Sequence, residues 1–125
     1  MVIHPLHTYV HLADDGKAQE VPGESFWQLS DSERDRSCTG WLVSEFTFTE
    51  DWPTWEMHPE GDEFVYLLSG AVDMLLELGS QVRTIVLEGG GAVVVPRGVW
   101  HTAKVRLPSR VLHVTRGKGT QNRPV

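Results

Sequence analysis

Cysteine is nearly absent from this 125-residue sequence, which contains only Cys38. A single thiol cannot form an internal disulfide, so a disulfide-stabilised framework is excluded. Cys38 lies in a polar segment, residues 30–39, with no catalytic motif beside it. We therefore expect no nucleophilic role for Cys38, although an exposed thiol in such a loop is open to oxidation.

Long hydrophobic runs are also missing. No segment approaches the roughly 20 apolar residues that a membrane-spanning helix needs. Residues 1–10 contain His4, Pro5 and His7 and no apolar stretch, so they do not resemble a secretory signal peptide. The sequence predicts a cytoplasmic protein with no membrane partner.

Positive charge is scarce, because 11 Lys and Arg residues against 17 Asp and Glu residues give a net charge of −6. The corresponding isoelectric point is about 5.4. Basic residues cluster only between residues 104 and 123, where outward strand positions and a solvated tail account for them. No helix-turn-helix pattern or basic stripe is present, so we expect no nucleic-acid partner.

Apolar residues also do not recur with the period of an amphipathic helix. Short runs rich in β-branched and aromatic residues instead alternate with turn residues about every eight to twelve positions, a pattern that predicts one all-β sandwich or barrel domain. We predict an N-terminal arm at about residues 1–39, a barrel at about 40–116 and a tail at 117–125. Within the arm, the predicted strands are residues 9–12 and 26–29, and residues 30–39 are a predicted loop with room for one helical turn.

The most informative segment, residues 55–70, predicts two strands joined by a tight turn at residues 59–62. His58 and Glu63 would then face each other across a hairpin, with Cβ atoms about 4.5–5.5 Å apart. Glu56 lies two residues before His58 and shares its face. The same face continues into apolar residues, where charges are costly unless they are paired or bound to a cation. A metal ion is the simplest interpretation of one imidazole and two carboxylates in this place.

A second segment, residues 90–101, predicts a strand, a turn at Pro96-Arg97-Gly98 and a histidine that begins the next strand. Beyond this turn, His101 shares one face with the apolar residues at positions 103, 105 and 107. The opposite face of the same strand is mostly polar and is expected to meet water. We therefore place His101 on the interior face.

Together the two segments resemble the paired motifs of the cupin superfamily. The first motif of that family has two histidines separated by one residue, then a glutamate after about four intervening residues, and then a glycine after about six more. The second motif has a glycine, a spacer of about five residues, the turn Pro-x-Gly, a spacer of two residues and a histidine. The matching positions are Glu56, His58, Glu63 and Gly70, then Gly90, Pro96, Gly98 and His101. The resemblance covers roughly residues 40–115 and is to the small, single-domain (monocupin) type.

The resemblance implies a double-stranded β-helix, a jelly-roll barrel, with one divalent metal ion inside its mouth. It implies His58, Glu63 and His101 as ligands, with Glu56 in the place of the first histidine. The sequence departs from the family pattern at a second position as well, because Val105 stands about where the family often has an asparagine. Two imidazoles and two carboxylates suit Fe, Mn, Zn or Ni and do not select one of these metals.

Two histidines and one carboxylate with open positions are also the arrangement of non-haem iron oxygenases. In that case Glu56 would stay off the metal and act as a catalytic general base. These features favour a small metalloenzyme, dioxygenase-like or isomerase-like, that acts on a small polar molecule. A non-catalytic module that binds or senses a small molecule in the same barrel is the alternative. A barrel whose metal only adds stability is less consistent with four converging polar groups.

Each site residue also has a simpler interpretation. His58 and Glu63 could form a surface ion pair, and His101 could be a hydrogen-bonded histidine at a strand start. Glu56 could be a solvated carboxylate or a group that supports the ligands without binding. His113 fits a hydrogen-bonded barrel histidine better than a ligand. The remaining histidines are scattered and expected on the surface: His4, His7 and His11.

The predicted hairpin is apolar on its outer face as well, which carries Trp55, Met57, Phe64, Tyr66 and Leu68. Such a face needs a cover, either the N-terminal segment with its aromatic residues at 26 and 27 or a second subunit. Cupins commonly dimerise through such sheets, so the resemblance implies a homodimer. The residues expected to line the pocket are apolar: Phe46, Phe48, Val65, Leu67, Val72, Met74, Leu76, Ala103 and Val105.

Overall fold

The computed structural model describes residues 1–37 and 39–125, so the expectation for Cys38 lies outside the described residues. Within these ranges the chain forms nine strands and two short helices. The strands are β1 (Thr8–Leu12), β2 (Ala18–Pro22), β3 (Trp41–Phe48), β4 (Thr54–Met57), β5 (Glu63–Leu78), β6 (Gln81–Glu88), β7 (Ala92–Val95), β8 (His101–Thr115) and β9 (Gln121–Pro124). The helices are α1 (Gly23–Gln28) and α2 (Asp31–Ser37).

Strand β8 is the hub of an antiparallel sheet, because it pairs with β3, β4 and β5. Strand β5 also pairs with β6 and β7, while β1 and β2 extend the sheet beyond β3 and β9 extends it beyond β4. The predicted fold class is confirmed: the protein is a mostly β-strand jelly-roll barrel with antiparallel pairing. The starts of β5 and β8 carry two of the predicted metal ligands.

Apolar side chains that alternate along β5 and β8 fill the interior. Fully burying one such side chain contributes about 1.5–3 kcal/mol, so this core is the main source of stability. The core consists of Trp52, Val65, Leu67, Val72, Met74, Leu76, Leu87, Val95, Ala103 and Val111. Most residues that were expected to line an open pocket therefore belong to a packed core instead.

The predicted hairpin that joins residues 55–58 to residues 63–70 is wrong. Strand β4 pairs with β8, through Glu56 opposite His101, and with β9. Strand β5 pairs with β6, β7 and β8. The connection between β4 and β5 is fixed by Asp62, whose carboxylate accepts a hydrogen bond from the backbone N–H of Arg97 at 2.7 Å. Turn residues indicate that the chain changes direction, and they do not indicate which strand it pairs with next.

The N-terminal arm also differs from its prediction. Residues 26–29, predicted as a strand, lie mostly in α1, and the predicted loop at residues 30–39 contains α2. The Ser30 hydroxyl caps α2, because it accepts a hydrogen bond from the Glu33 N–H at 3.2 Å and donates one to the Glu33 carboxylate at 2.9 Å. This Ser-x-x-Glu capping box is visible in the sequence and predicts a helix start.

The interior face of β8 is less regular than a strict alternation predicts. Leu107, expected inside, is 58% exposed, and Thr102, expected to face water, is buried and donates a hydrogen bond to the carbonyl oxygen of Thr54. Register shifts between Leu67 and Val72 on the partner strand interrupt the alternation where Leu107 pairs. His11, expected on the surface, is also buried.

Gly70 lets β5 continue through Ser69-Gly70, a residue pair that is typical of a turn. Its φ is 100°, and a Cβ there would lie 2.6 Å from the Pro108 carbonyl oxygen and 2.7 Å from the Ser109 Cα. We expect Gly70→Ala to lower the free energy of unfolding by at least about 2–3 kcal/mol, since the clash adds to backbone strain of about 1–2 kcal/mol. Gly79→Ala is the control, because Gly79 has a φ of 64° and a Cβ there would meet nothing within 4 Å among the described residues. Chemical denaturation measures the loss of unfolding free energy in each variant. Equal losses in Gly70→Ala and Gly79→Ala would contradict a role for the steric clash at Gly70.

The two helices of the described residues are both too short and too polar to cross a membrane.

Candidate metal centre

The four predicted metal ligands come from three strand ends. Glu56 lies in β4 and His58 follows that strand, while Glu63 begins β5 and His101 begins β8. The β4–β8 pairing places Glu56 directly opposite His101. The side chains of His58, Glu63 and His101 are buried, and that of Glu56 is about one-third exposed (33%).

The distances between these side chains suit a shared ion. Ligand atoms of Glu56, His58 and His101 lie within 4.8 Å of one another. Glu63 lies between the two imidazoles, with Oε1 at 3.1 Å from His101 Nε2 and Oε2 at 3.3 Å from His58 Nε2. Ligand bonds of about 2.0–2.2 Å place neighbouring donor atoms roughly 3–4 Å apart. The triad of Glu56, His58 and His101 could therefore bind a metal ion.

Hydrogen bonds orient both imidazoles for this role. His101 Nδ1 donates to the carbonyl oxygen of Val99 at 3.1 Å. His58 Nδ1 lies 2.8 Å from the Thr120 hydroxyl, which donates its own proton to the carbonyl oxygen of Gly117. Thr120 therefore accepts a hydrogen bond from the Nδ1–H of His58. Both rings are held with Nδ1 protonated, which leaves the Nε2 lone pair available to an ion.

Three buried atoms at the centre lack partners. His58 Nε2, His101 Nε2 and Glu63 Oε1 have no hydrogen-bond partner among residues 1–37 and 39–125. The Glu63 carboxylate is close to both nitrogens but is not aligned with them as in a hydrogen bond. Its Oε2 accepts a hydrogen bond from the Thr115 hydroxyl at 2.5 Å. An unsatisfied buried polar atom costs about 1–3 kcal/mol, and one shared cation would satisfy all three atoms. The donor set thus fits a metal ion.

The charges of the centre depend on Glu63. Burial by itself raises the pKa of Glu63, but the imidazoles of His101, His113 and His58 outweigh burial and hold this pKa well below its ordinary value of 4.5. Burial likewise lowers the pKa of His101, but the adjacent Glu63 carboxylate outweighs it, so the pKa of His101 lies above its ordinary value of 6.5. At neutral pH, Glu63 is ionised and His101 competes for a proton when no ion is bound.

Because a proton and a metal ion compete for His101, we expect the stability of the metal-free protein and its affinity for metal to change in opposite directions with pH. A raised pKa of His101 stabilises the metal-free fold fully below about pH 6.5, and this contribution is lost as the pH rises through the folded-state pKa. Metal binding needs the unprotonated ring, so we expect metal affinity to rise at least about fourfold between pH 6 and pH 8. Calorimetric titration of the ion and thermal unfolding of both forms measure these trends. A metal affinity that does not change with pH over this range would contradict the assignment of His101 as a ligand.

The centre opens into a cavity of about 660 Å³, whose wall includes Glu56, His58 and Glu63. Five aromatic residues, which we call the aromatic wall, also line it: Phe26, Trp27, Phe46, Phe48 and Trp52. Only Phe46 and Phe48 were predicted to line the pocket. The contributions of α1 and α2 were missed because these helices were not predicted.

His113 lies at the edge of the centre. It is buried, lines the cavity, and places Nδ1 at 3.6 Å from Glu63 Oε2. Its ring packs edge-on against Phe46, with 5.5 Å between ring centroids. His113 shares the interior parity of Val111 on β8, and this parity is the signal that places it near Glu63.

The family model described as "Cupin domain" matches residues 47–115, which is more than half of the chain. Among solved structures, a cupin-2 domain containing protein from Shewanella frigidimarina NCIMB 400 aligns with a TM-score of 0.50 at 19% identity, over 60% of this chain and 69% of that one. Oxalate oxidase in complex with glycolate aligns with a TM-score of 0.56 at 16% identity, over 65% of this chain and 45% of that one. Hydroquinone 1,2-dioxygenase in complex with Cd²⁺ and 4-hydroxybenzonitrile aligns with a TM-score of 0.51 at 17% identity, over 60% of this chain and 56% of that one.

No curated protein matches the sequence. The chain spans about half of the oxidase and dioxygenase chains, so these alignments describe the fold that is shared. The family match covers both motifs, from Glu56 to His101. The chain therefore belongs to the cupin family.

Proposed function

We propose that this protein is a small metalloenzyme that binds one divalent ion through His58, Glu63 and His101, with Glu56 beside the ion. The observation that carries the proposal is the set of three buried atoms, two Nε2 and one Oε1, that lie together without partners among the described residues. Iron, manganese, zinc and nickel all suit this mixed nitrogen and oxygen set. The same site without catalysis would make the protein a binding or sensing module, which is the second candidate.

Such an ion, when bound, supplies a Lewis acid that polarises an oxygen of the substrate or brings it together with O₂. The chain itself supplies the other functions. The aromatic wall limits water around the ligand, and Glu63 holds negative charge at the centre of the site. Glu56 lines the cavity and has the most exposed carboxylate of the centre, so we assign it the exchange of protons with the substrate.

Two proteins with this fold carry the names of an oxidase and a dioxygenase, which supports oxygen-dependent chemistry as the first class to test. The first measurement is metal content, as purified and after reconstitution with Fe(II), Mn(II), Ni(II) or Zn(II). The second is O₂ consumption with a panel of phenols, diketones and thiols. Turnover supports the enzyme, and ligand binding without turnover supports the binding module. A protein that holds none of these ions after reconstitution would rule out both.

We also propose that the protein is a homodimer. Phe64 on β5 is 40% exposed, and its neighbour Val94 on β7 is 56% exposed. The aromatic residues of α1, which were the other candidate cover, pack against Tyr9 and Phe46 instead. A second copy of the chain would bury this apolar face. Analytical ultracentrifugation distinguishes a dimer from a monomer, and a monomer at micromolar concentration would remove the proposal.

A further inference from the structure

We propose that the cavity selects aromatic small molecules that are neutral or positively charged, and that it rejects anions. This inference deepens the proposed function and rests on it, since the cavity is taken as the substrate site of the metal centre. The selection itself arises from the aromatic wall and from the charges around it. It is therefore testable with and without metal.

The aromatic wall offers flat apolar surfaces. The rings of Phe46 and Phe48 are stacked, with centroids 5.9 Å apart and planes inclined by 30°. Trp27 lies on one side, 6.0 Å from Phe46 with the planes inclined by 53°, and Trp52 lies on the other, 5.3 Å from Phe48 with the planes inclined by 49°. Aromatic rings pack favourably with other rings at such separations, both stacked and edge-on. An aromatic ligand can therefore contact rings of several orientations between α1 and the metal centre.

Negative charge dominates the remainder of the cavity. Apart from the two glutamates of the centre, the described lining residues include four carboxylates and one guanidinium: Asp31, Asp35, Glu50, Asp51 and Arg34. Arg34 already forms an ion pair with Asp31 and donates a hydrogen bond to the carbonyl oxygen of Leu29. Lys104, which does not line the cavity, lies 4.0 Å from Asp51 and offsets part of its charge. A divalent ion would balance only Glu56 and Glu63. The loaded cavity would therefore keep a net negative charge, and a cleft concentrates such a field.

Two buried nitrogens of the cavity lining point to a polar ligand group. Trp52 Nε1 and His113 Nε2 have no hydrogen-bond partner within the described part of the chain, and both residues are more than nine-tenths buried. A hydroxyl oxygen of a ligand would supply a partner that the protein does not. An ammonium group is also favoured, because it is attracted by aromatic faces within about 6 Å as well as by the carboxylates. An aromatic ring with a hydroxyl group, and without an anionic group, matches all of these features.

The test uses three ligands that share one ring and one chain length and differ in charge: tyramine, 4-hydroxyphenylethanol and 4-hydroxyphenylacetate. Calorimetric titration of the metal-loaded protein at low salt should show tyramine binding tightest and the acetate at least about tenfold weaker than tyramine. The difference should narrow at high salt, because the screening length falls from about 10 Å at 0.1 M to about 3 Å at 1 M. An acetate that binds as tightly as tyramine, or no binding by any of the three, would overturn the inference.

Two variants separate the contribution of the carboxylate charges to ligand affinity from the contribution of the aromatic wall. Glu50→Gln combined with Asp51→Asn removes two charges and keeps the oxygen that accepts the Val105 N–H, so it should bring the three affinities closer together without weakening the neutral ligand. Phe48→Leu removes one ring at similar volume and should weaken all three ligands. If the double variant leaves the affinity ratio unchanged, the carboxylates do not select the ligand and the inference fails.

The same titrations without metal separate this inference from the proposed function. If the protein binds no ion and still ranks the three ligands by charge, the metal function fails and the cavity selection stands. If it binds an ion and shows no ranking, the cavity selection fails and the metal function stands. The His101→Ala variant serves as a second metal-free form that keeps all five rings of the aromatic wall, although Trp52 loses its edge contact with the His101 ring.

Discussion

Replacing His101 with alanine is expected to abolish tight metal binding and to leave the fold in place. His101 is fully buried, its Nδ1 is fixed by the Val99 carbonyl oxygen, and its Nε2 lies 3.1 Å from Glu63 Oε1. Loss of a residue that only orients a ligand already costs about 10- to 100-fold in metal affinity. Loss of the ligand itself should therefore cost at least about 100-fold. Metal content after dialysis and competition with a chelator measure the change.

Two control variants make this result specific. His11→Ala removes another buried histidine, on β1 and outside the cavity, and should leave metal affinity unchanged. Thr120→Val removes the hydroxyl that accepts the His58 Nδ1 proton and should give an intermediate loss of about 10- to 100-fold. Circular dichroism checks that each variant is folded. Equal metal affinity in His101→Ala and in the natural protein would contradict the site.

The proximity of the four candidate ligands could be predicted although the pairing of their strands could not. Motif spacing and strand parity single out Glu56, His58, Glu63 and His101, because both are local properties of the sequence. The observed neighbour of Glu56 across the sheet is His101, on a strand far along the chain. Such pairing follows from closure of the barrel, which turn residues do not encode. The predicted hairpin could therefore be wrong although the side chains that it was meant to bring together do lie close to one another.

Two long strands run through residues that are typical of turns. Pro108 and Ser109 indicate a break in the sequence, whereas β8 runs through them. The buried Ser109 hydroxyl accepts a hydrogen bond from the Ala71 N–H at 3.1 Å and donates to the Leu107 carbonyl oxygen at 2.7 Å. These bonds replace regular pairing where the register shifts, and so hold the two strands together. A side chain that repairs an irregular strand is identified only when its partner is known.

The cavity was the least predictable feature, because residues from distant segments form its wall. Its outer side comes from α1 and α2, which were predicted as a short strand and a loop. Four residues with two aromatic side chains, as at 26–29, fit a strand or a helix equally well. The expected small polar substrate followed from barrel size alone. The aromatic wall and the cavity of about 660 Å³ favour a larger, aromatic one.

Replacing Glu56 with glutamine is expected to remove turnover and to retain the metal. Glu56 Oε2 lies 4.0 Å from His101 Nε2, farther than the 3.1 Å of Glu63 Oε1. Glutamine keeps the size of the side chain and one oxygen, but it can neither take up a proton at neutral pH nor carry negative charge. With a substrate from the panel, we expect kcat to fall about 10²- to 10⁴-fold, the usual contribution of a general base, with metal affinity changed by less than about tenfold.

The paired variant Glu63→Gln separates the two carboxylates of the centre. Glu63 is buried, its Oε1 has no partner within residues 1–37 and 39–125, and three imidazoles surround it. Loss of its charge should weaken metal binding at least about 100-fold, as for His101→Ala, because a ligand and not only an orienting partner is altered. Glu56→Gln would thus lose turnover and keep its metal affinity, whereas Glu63→Gln would lose both turnover and metal affinity. Loss of the metal in Glu56→Gln to the same extent would instead make Glu56 a ligand, and the proton acceptor would have to be another residue of the cavity.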